Sequence, residues 1–172
     1  MRTALNIFTS KPPTMKQIVF ITITAFIISC NEANNTGELN KEKVKTEVSE
    51  MLHNYHKDMN NLGLLSEFKY LDSSADFFWV PPGFNSALSY DTVKAILETN
   101  AKALSKIEFH WDSLQIFPLT NEIANFSGIV KGFTMDTAGT KTNLLIIESG
   151  TVIKRKDGWK LLSGQSATLE TE

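Results

Sequence analysis

Three kinds of side chain in this sequence could carry chemistry: a carboxylate with tyrosines, a spaced run of histidines, and one cysteine. Asp76 follows Tyr70 closely, and Tyr90 lies further along. A carboxylate base beside a phenol can abstract a proton and steady the resulting enolate. The structural alternative is Asp76 capping a strand and Tyr70 packing its ring with the hydroxyl at the surface. Glu50, His53 and His56 recur every three residues, which puts them on neighbouring turns of a helix and within reach of one metal. On the helical wheel, however, His53 falls opposite the apolar stripe and His56 at its edge. The two diverge toward water, so no metal is expected. His110 alternates with Phe109 and Trp111, which assigns it to the opposite face of a strand, in a position open to a dimer contact.

Four aromatic residues, Phe77, Trp79, Phe109 and Trp111, sit on short strand-like stretches and are expected to line an apolar pocket. Core filling is the alternative for each of them. There is no Ser-His-Asp pattern, glycine-rich phosphate loop, cysteine pair or basic-aromatic surface. No cofactor and no nucleic-acid partner are therefore expected.

Cys30 is the single cysteine among 172 residues, so no intrachain disulfide can form. Met15-Lys16-Gln17 gives a positively charged start. Residues 18–28 are apolar apart from Thr22 and Thr24, long enough for an export-signal core and short for a membrane span. Ile27-Ile28-Ser29-Cys30 follows and resembles the bacterial lipobox, with a small residue before the cysteine that takes the lipid. The reading is a lipoprotein signal over residues 1–29, with Met15 the expected true start. Cleavage before Cys30 and lipidation would hold the protein in the cell envelope, on the non-cytoplasmic side of a membrane. Residues 30–40, polar around NEANNTGELN, read as a flexible tether.

The domain over residues 41–172 must position the candidate groups. Val44, Val48, Leu52, Tyr55 and Met59 recur at steps of three and four, predicting a helix over 41–60 with Gly63 as a left-handed cap. A short helix over 64–71 and a buried strand over 76–80, stopped by Pro81-Pro82-Gly83, follow. Ser89 caps a second helix that runs through Leu104. From Lys106 the period becomes two. Ile107, Phe109 and Trp111 face one way, then Leu114 and Ile116 carry that face on even numbers, so a β-bulge is predicted near Asp112-Ser113. Strands over 122–135, 143–154 and 159–169 follow, joined by a turn through Gly139 and by an Asp157-Gly158 hairpin. Helices first and an antiparallel meander after them predict an α+β domain. Lys154-Arg155-Lys156 reads as a solvated hairpin end. A net charge of −2 and 42% hydrophobic residues fit one ordinary globular domain.

The order and spacing of these tokens resemble the nuclear transport factor two-like superfamily, in its SnoaL-like and kinase-association-type branch. They are Asp76-Phe77-Phe78-Trp79-Val80-Pro81-Pro82-Gly83, Ile123-Ala124, and Thr151-Val152-Ile153 leading into Lys156-Asp157-Gly158-Trp159-Lys160-Leu161. The resemblance covers about residues 41–166. It implies a curved sheet wrapped around helices as a cystatin-like roll, a cone with a pocket at its wide end, and homodimers through the outer sheet face. Trp159 matches a packing position. The superfamily holds isomerases, hydrolases, cyclases and binding modules, so fold alone does not fix function. The expected function is a tethered, non-catalytic binding module for a small apolar ligand or a protein partner. The alternatives are an isomerase, cyclase or hydrolase using a pocket carboxylate, and a dimeric envelope scaffold. A buried carboxylate with a nearby Tyr or His in the cone would favour the enzyme.

Overall fold

The computed structural model describes residues 38–170. The export segment and Cys30 lie outside the described residues.

The first helix, α1, spans Lys41–Leu62. The Asn40 side chain accepts a hydrogen bond from the Lys43 N–H and starts it. Its apolar stripe is buried at Val44, Val48, Met51, Leu52, Tyr55 and Met59. Gly63 ends it at φ 88°, a backbone angle that costs a side chain heavily, and donates to the Met59 carbonyl. A 3-10 turn over Leu64–Lys69 follows, shorter than the predicted second helix. Strand β1 spans only Phe78–Val80. Helix α2 spans Tyr90–Ala103 and is capped by Ser89, whose hydroxyl accepts from the Thr92 N–H.

Four long strands complete the chain: β2 (Leu104–Pro118), β3 (Ile123–Asp136), β4 (Lys141–Arg155) and β5 (Gly158–Thr168). They form one five-stranded sheet in the order β1-β5-β4-β3-β2. β2 to β5 make the predicted antiparallel meander, whereas β1 joins the far edge parallel to β5. The register of β2 against β3 shifts between Trp111 and Ser113, where the alternation of apolar residues slips. The result is α+β: a curved, unclosed sheet with the helices ahead of its four long strands in the chain.

One face of the sheet carries the core. Ile107, Ala124, Phe126, Val152 and Leu161 are buried there with the stripe of α1. The open edge of β2 is tied at one point to α1. The Asn60 amide donates to the Phe109 carbonyl and accepts from the Phe109 N–H, both at 2.8 Å, satisfying edge groups that would otherwise stay unpaired. Among the described residues, no helix is long and apolar enough to cross a membrane.

Two sequence expectations are corrected. His56 does not face water: it is 3% exposed, because Trp111 and Phe109 of β2 close over that edge of α1. The run Lys154-Arg155-Lys156 is not simply solvated. Lys154 pairs with Glu47 at 2.6 Å, and the Arg155 guanidinium pairs with the buried Asp72.

Candidate functional site

Alternation along β4 puts Ile146, Glu148, Gly150 and Val152 on the inner face, where Ile146 and Val152 are buried. Glu148 thus stands in a row that is otherwise apolar or glycine. Its cross-strand neighbours are Gly128 on β3 and Ser166 on β5. An indole lies on each side. A Cβ on Gly128 would stand 2.8 Å from the ring of Trp111, so the glycine is what lets that ring lie on the sheet. A Cβ on Gly164 would likewise stand 2.5 Å from the ring of Trp79. Both indole N–H groups are spent on the protein: Trp79 donates to the Ser166 hydroxyl at 3.2 Å, and Trp111 to the Leu52 carbonyl at 3.1 Å.

Two more ionisable groups approach Glu148 from the helical side. Glu67 projects from the 3-10 turn, and its carboxyl accepts a hydrogen bond from the Tyr55 phenol of α1. Burial pushes the Glu67 carboxyl up to about 7, against the smaller lowering effect of the Tyr55 hydrogen bond. Burial first, and the neighbouring Glu67 charge second, push Glu148 up to about 8. Tyr55 is raised well above its ordinary value by burial first, then by the same two carboxylates. Both glutamates are only half-buried by area.

No lysine or arginine pairs with either glutamate among the described residues. At neutral pH such a pair holds at least one proton. It can therefore present an acid and a base side by side, with a phenol next to them.

His56 stacks on Trp111 with ring centroids 4.7 Å apart. The carbonyl that its Nδ1 would reach one turn back, that of Leu52, is taken by Trp111. By contrast, His53 Nδ1 meets the Ser49 carbonyl at 2.7 Å. His56 Nδ1 is left buried without a partner, and burial depresses the ring to about 3, so it stays neutral.

The residues singled out from sequence are scattered around this cluster. Tyr70 is buried, donates to Asp58 at 2.6 Å, and meets the Tyr55 ring edge-on at 5.6 Å. Asp76 is exposed, on the side of Arg155. Tyr90 begins α2 and meets Phe77 edge-on at 5.8 Å. Asp76 shares no hydrogen bond with either tyrosine among the described residues. Phe77 is buried in the core, while Trp79, Phe109 and Trp111 are half-buried and pack against its edge. His53 and His110 are exposed. Among the described residues, no three His, Cys, Asp or Glu side chains gather to hold a metal. A hollow of about 480 Å³, lined by Phe78, Val80, Phe117 and Thr151, lies on the outer face of the sheet, opposite Glu148.

Tyr55, Glu67 and Glu148 were absent from the sequence-derived site. One signal was present: Glu148 is a charge at an inward position of LLIIESGTVI. Glu67 carried a weaker one, since it sits one residue from Phe68 and three from Leu64 on the same short turn.

Neither the family models nor the curated proteins contain a match to this chain. Solved structures do. A nuclear transport factor two-like superfamily protein from Salmonella enterica aligns with TM-score 0.65 and 15% identity, over 76% of this chain and 94% of that one. A candidate scytalone dehydratase from Novosphingobium aromaticivorans aligns with TM-score 0.67 and 16% identity, over 77% and 88%. A kinase II association-type domain from Xanthomonas campestris gives 0.61 and 14%, over 73% and 88%. At these identities the likeness is one of architecture, and with the helices, strand order and curved sheet described above it identifies the domain as having the nuclear transport factor two-like fold.

Proposed function

We propose that this chain is a membrane-tethered lipoprotein whose cone interior binds a small organic molecule and moves a proton on it, with Glu67 and Glu148 as the exchanging groups. The observation that carries this reading is the cluster of Tyr55, Glu67 and Glu148, in which two carboxyls with raised values stand within electrostatic reach of each other, with a phenol on one of them. A protein keeps unpaired carboxyls out of water at a cost in stability, and active sites are where that cost is commonly met. Glu148, mostly protonated at neutral pH, is the donor. Glu67, close to half-ionised, is the base. Tyr55 orients Glu67 through its phenol hydrogen bond. Trp79 and Trp111 frame the molecule. Among the structural neighbours are a candidate scytalone dehydratase and a protein described as a hexachlorocyclohexane dehydrochlorinase, and the latter's name describes an elimination on this fold.

The test is a panel of small ketones and hydroxy compounds incubated in heavy water and followed by NMR. Deuterium uptake or elimination by the wild type, lost in both Glu67→Gln and Glu148→Gln, is the expected result. Turnover unchanged in both variants would refute the assignment.

The tether is tested separately. Cys30→Ser should remain uncleaved and unlabelled by radioactive palmitate, and a mutant that labels like the wild type would remove Cys30 as the anchor. A chain beginning near Asn40 should fold without the export segment. Pairing of two copies through the outer sheet face is the assembly we propose, because Phe78, Phe117 and Ile147 are exposed on it.

A further inference from the structure

We infer that the domain rests on the bilayer surface through the tip of the β2–β3 hairpin, with Leu119 and Phe117 entering the lipid headgroup layer. The inference rests on the reading of the chain as a lipoprotein anchored at Cys30 and adds which side of the domain meets the lipid. Three observations lead to it. First, the chain enters the domain at this tip. The Asn40 N–H donates to Asn121 Oδ1 at 2.9 Å, and the Asn121 amide donates to the Glu38 carbonyl at 3.3 Å. Asn121 lies in the turn between β2 and β3. Second, the tip is apolar, although turns favour small and polar residues. Leu119 is 54% exposed, and Phe117, which also borders the outer face, is 50% exposed. The Leu119 and Thr120 N–H groups both donate to the Ile123 carbonyl, so the turn that carries Leu119 is an ordered one. Third, the charges around the tip cancel. Lys41, Lys43 and Lys45 on the first turns of α1 are balanced by Glu38, Glu42 and Glu47, and two of these pairs meet at 3.2 and 3.9 Å. Apolar contact is therefore unopposed by a local field and needs no anionic lipid.

The length of chain ahead of the domain decides between this end and the other. Eight residues separate Cys30 from Glu38, a span of at most about 28 Å even when fully extended. Helix α1 leads away from the entry point for 22 residues, about 33 Å. Leu62 and Leu65, also exposed, stand at its far end. An upended domain with Leu62 on the bilayer would lift the entry point about one helix length above the lipid, beyond the reach of the anchoring segment. The same segment keeps the tip at high effective concentration beside the headgroups. Transfer of Leu119 and Phe117 out of water then favours contact over free suspension, as it does for the apolar face of an interfacial helix.

The test uses the acylated protein in phosphatidylcholine nanodiscs loaded with one copy each, so that no second copy can cover the tip. A nitroxide is attached through Glu122→Cys, in the β2–β3 turn, or through Ala138→Cys, in the β3–β4 turn at the opposite end of the sheet. Both positions are exposed, and the acylated Cys30 thiol takes no label. Collisions with a water-soluble nickel chelate should be several-fold rarer at position 122 than at 138, and collisions with oxygen more frequent. Leu119→Ser, at an exposed position, should return the label at 122 to the accessibility seen at 138 while leaving the fold intact. Equal nickel accessibility at the two positions, or protection at 122 that Leu119→Ser leaves unchanged, overturns the inference. Mass spectrometry of the same preparation tells this failure apart from failure of the underlying reading. A Cys30 without acyl chains defeats the lipoprotein and the contact together; an acylated protein with its tip in water defeats the contact alone.

Discussion

Two sets of carboxylates in this domain meet opposite fates. Around the end of the sheet where α1 begins, Glu47 accepts from Lys154 and from the Trp159 indole at 2.6 and 2.9 Å. Nearby, Asp72 is bound by Arg155 and by the Ser74 backbone. On the inner face, Glu67 and Glu148 have no cation among the described residues. The first set is held below the ordinary carboxylate range. For Glu47 the Lys154 hydrogen bond leads, while for Asp72 burial pulls upward and the Arg155 and Ser74 bonds outweigh it. The second set is pushed up to about 7 and about 8. The same side-chain type thus ties the fold together in one place and weakens it in the other. Groups whose burial opposes folding and has no structural return are where a functional reading is strongest.

The largest effect should come from breaking the paired set. Trp159 is 6% exposed and donates to Glu47, so Trp159→Ala removes a core ring and leaves that carboxylate one donor short. Chemical denaturation should show a loss of about 3–5 kcal/mol. A loss below about 1 kcal/mol would mean the ring is not part of the core.

The unpaired set should respond in the opposite direction. Folded values above the unfolded 4.5 mean that the native protein binds more protons than the unfolded chain between about pH 4.5 and 8. Stability from this source is present at low pH and is lost as pH rises through 7 and 8. His56 runs the other way: depressed to about 3 from 6.5, it costs stability as pH falls below 6.5. Between pH 7 and 9 the carboxyls govern, so the melting temperature should fall as pH rises. Glu148→Gln, neutral at every pH, should be the more stable protein at pH 9 by a few degrees, and its fall should be shallower. A variant less stable than the wild type at pH 9 would show that the carboxylate has a partner.

The smallest effect belongs to an exposed pair. Lys69 is two-thirds exposed where it meets Asp58, so Lys69→Ala should cost little and leave the melting temperature nearly unchanged. A larger cost would move this pair into the first group.

Much of the fold was legible because it follows from local rules. The α1 stripe, the Ser89 cap, the positive φ at Gly63, Gly139 and Gly158, and the slip of alternation at Asp112 all came from spacing and turn chemistry. The parallel pairing of β1 with β5 did not, since it joins residues more than eighty positions apart and leaves no mark on either segment. His56 was misjudged for a related reason. A helical wheel shows the stripe of one helix, and only tertiary packing shows that Trp111 widens it. The site was harder still. Asp76, Tyr70 and Tyr90 are close in sequence, whereas Tyr55, Glu67 and Glu148 come from a helix, a 3-10 turn and the fourth strand. The charge at Glu148 was visible as an exception to the inward apolar row, but its meaning depended on what stood opposite.

The central claim is that Glu67 and Glu148 titrate far above ordinary carboxylates. Carbon NMR of the domain beginning at Asn40, with labelled glutamate side chains and signals assigned through Glu67→Gln and Glu148→Gln, reads this directly. Two carboxyl signals with midpoints near 7 and 8, each shifting when the other residue is replaced, are the predicted result. Both signals titrating near 4.5, independently of each other, would contradict it.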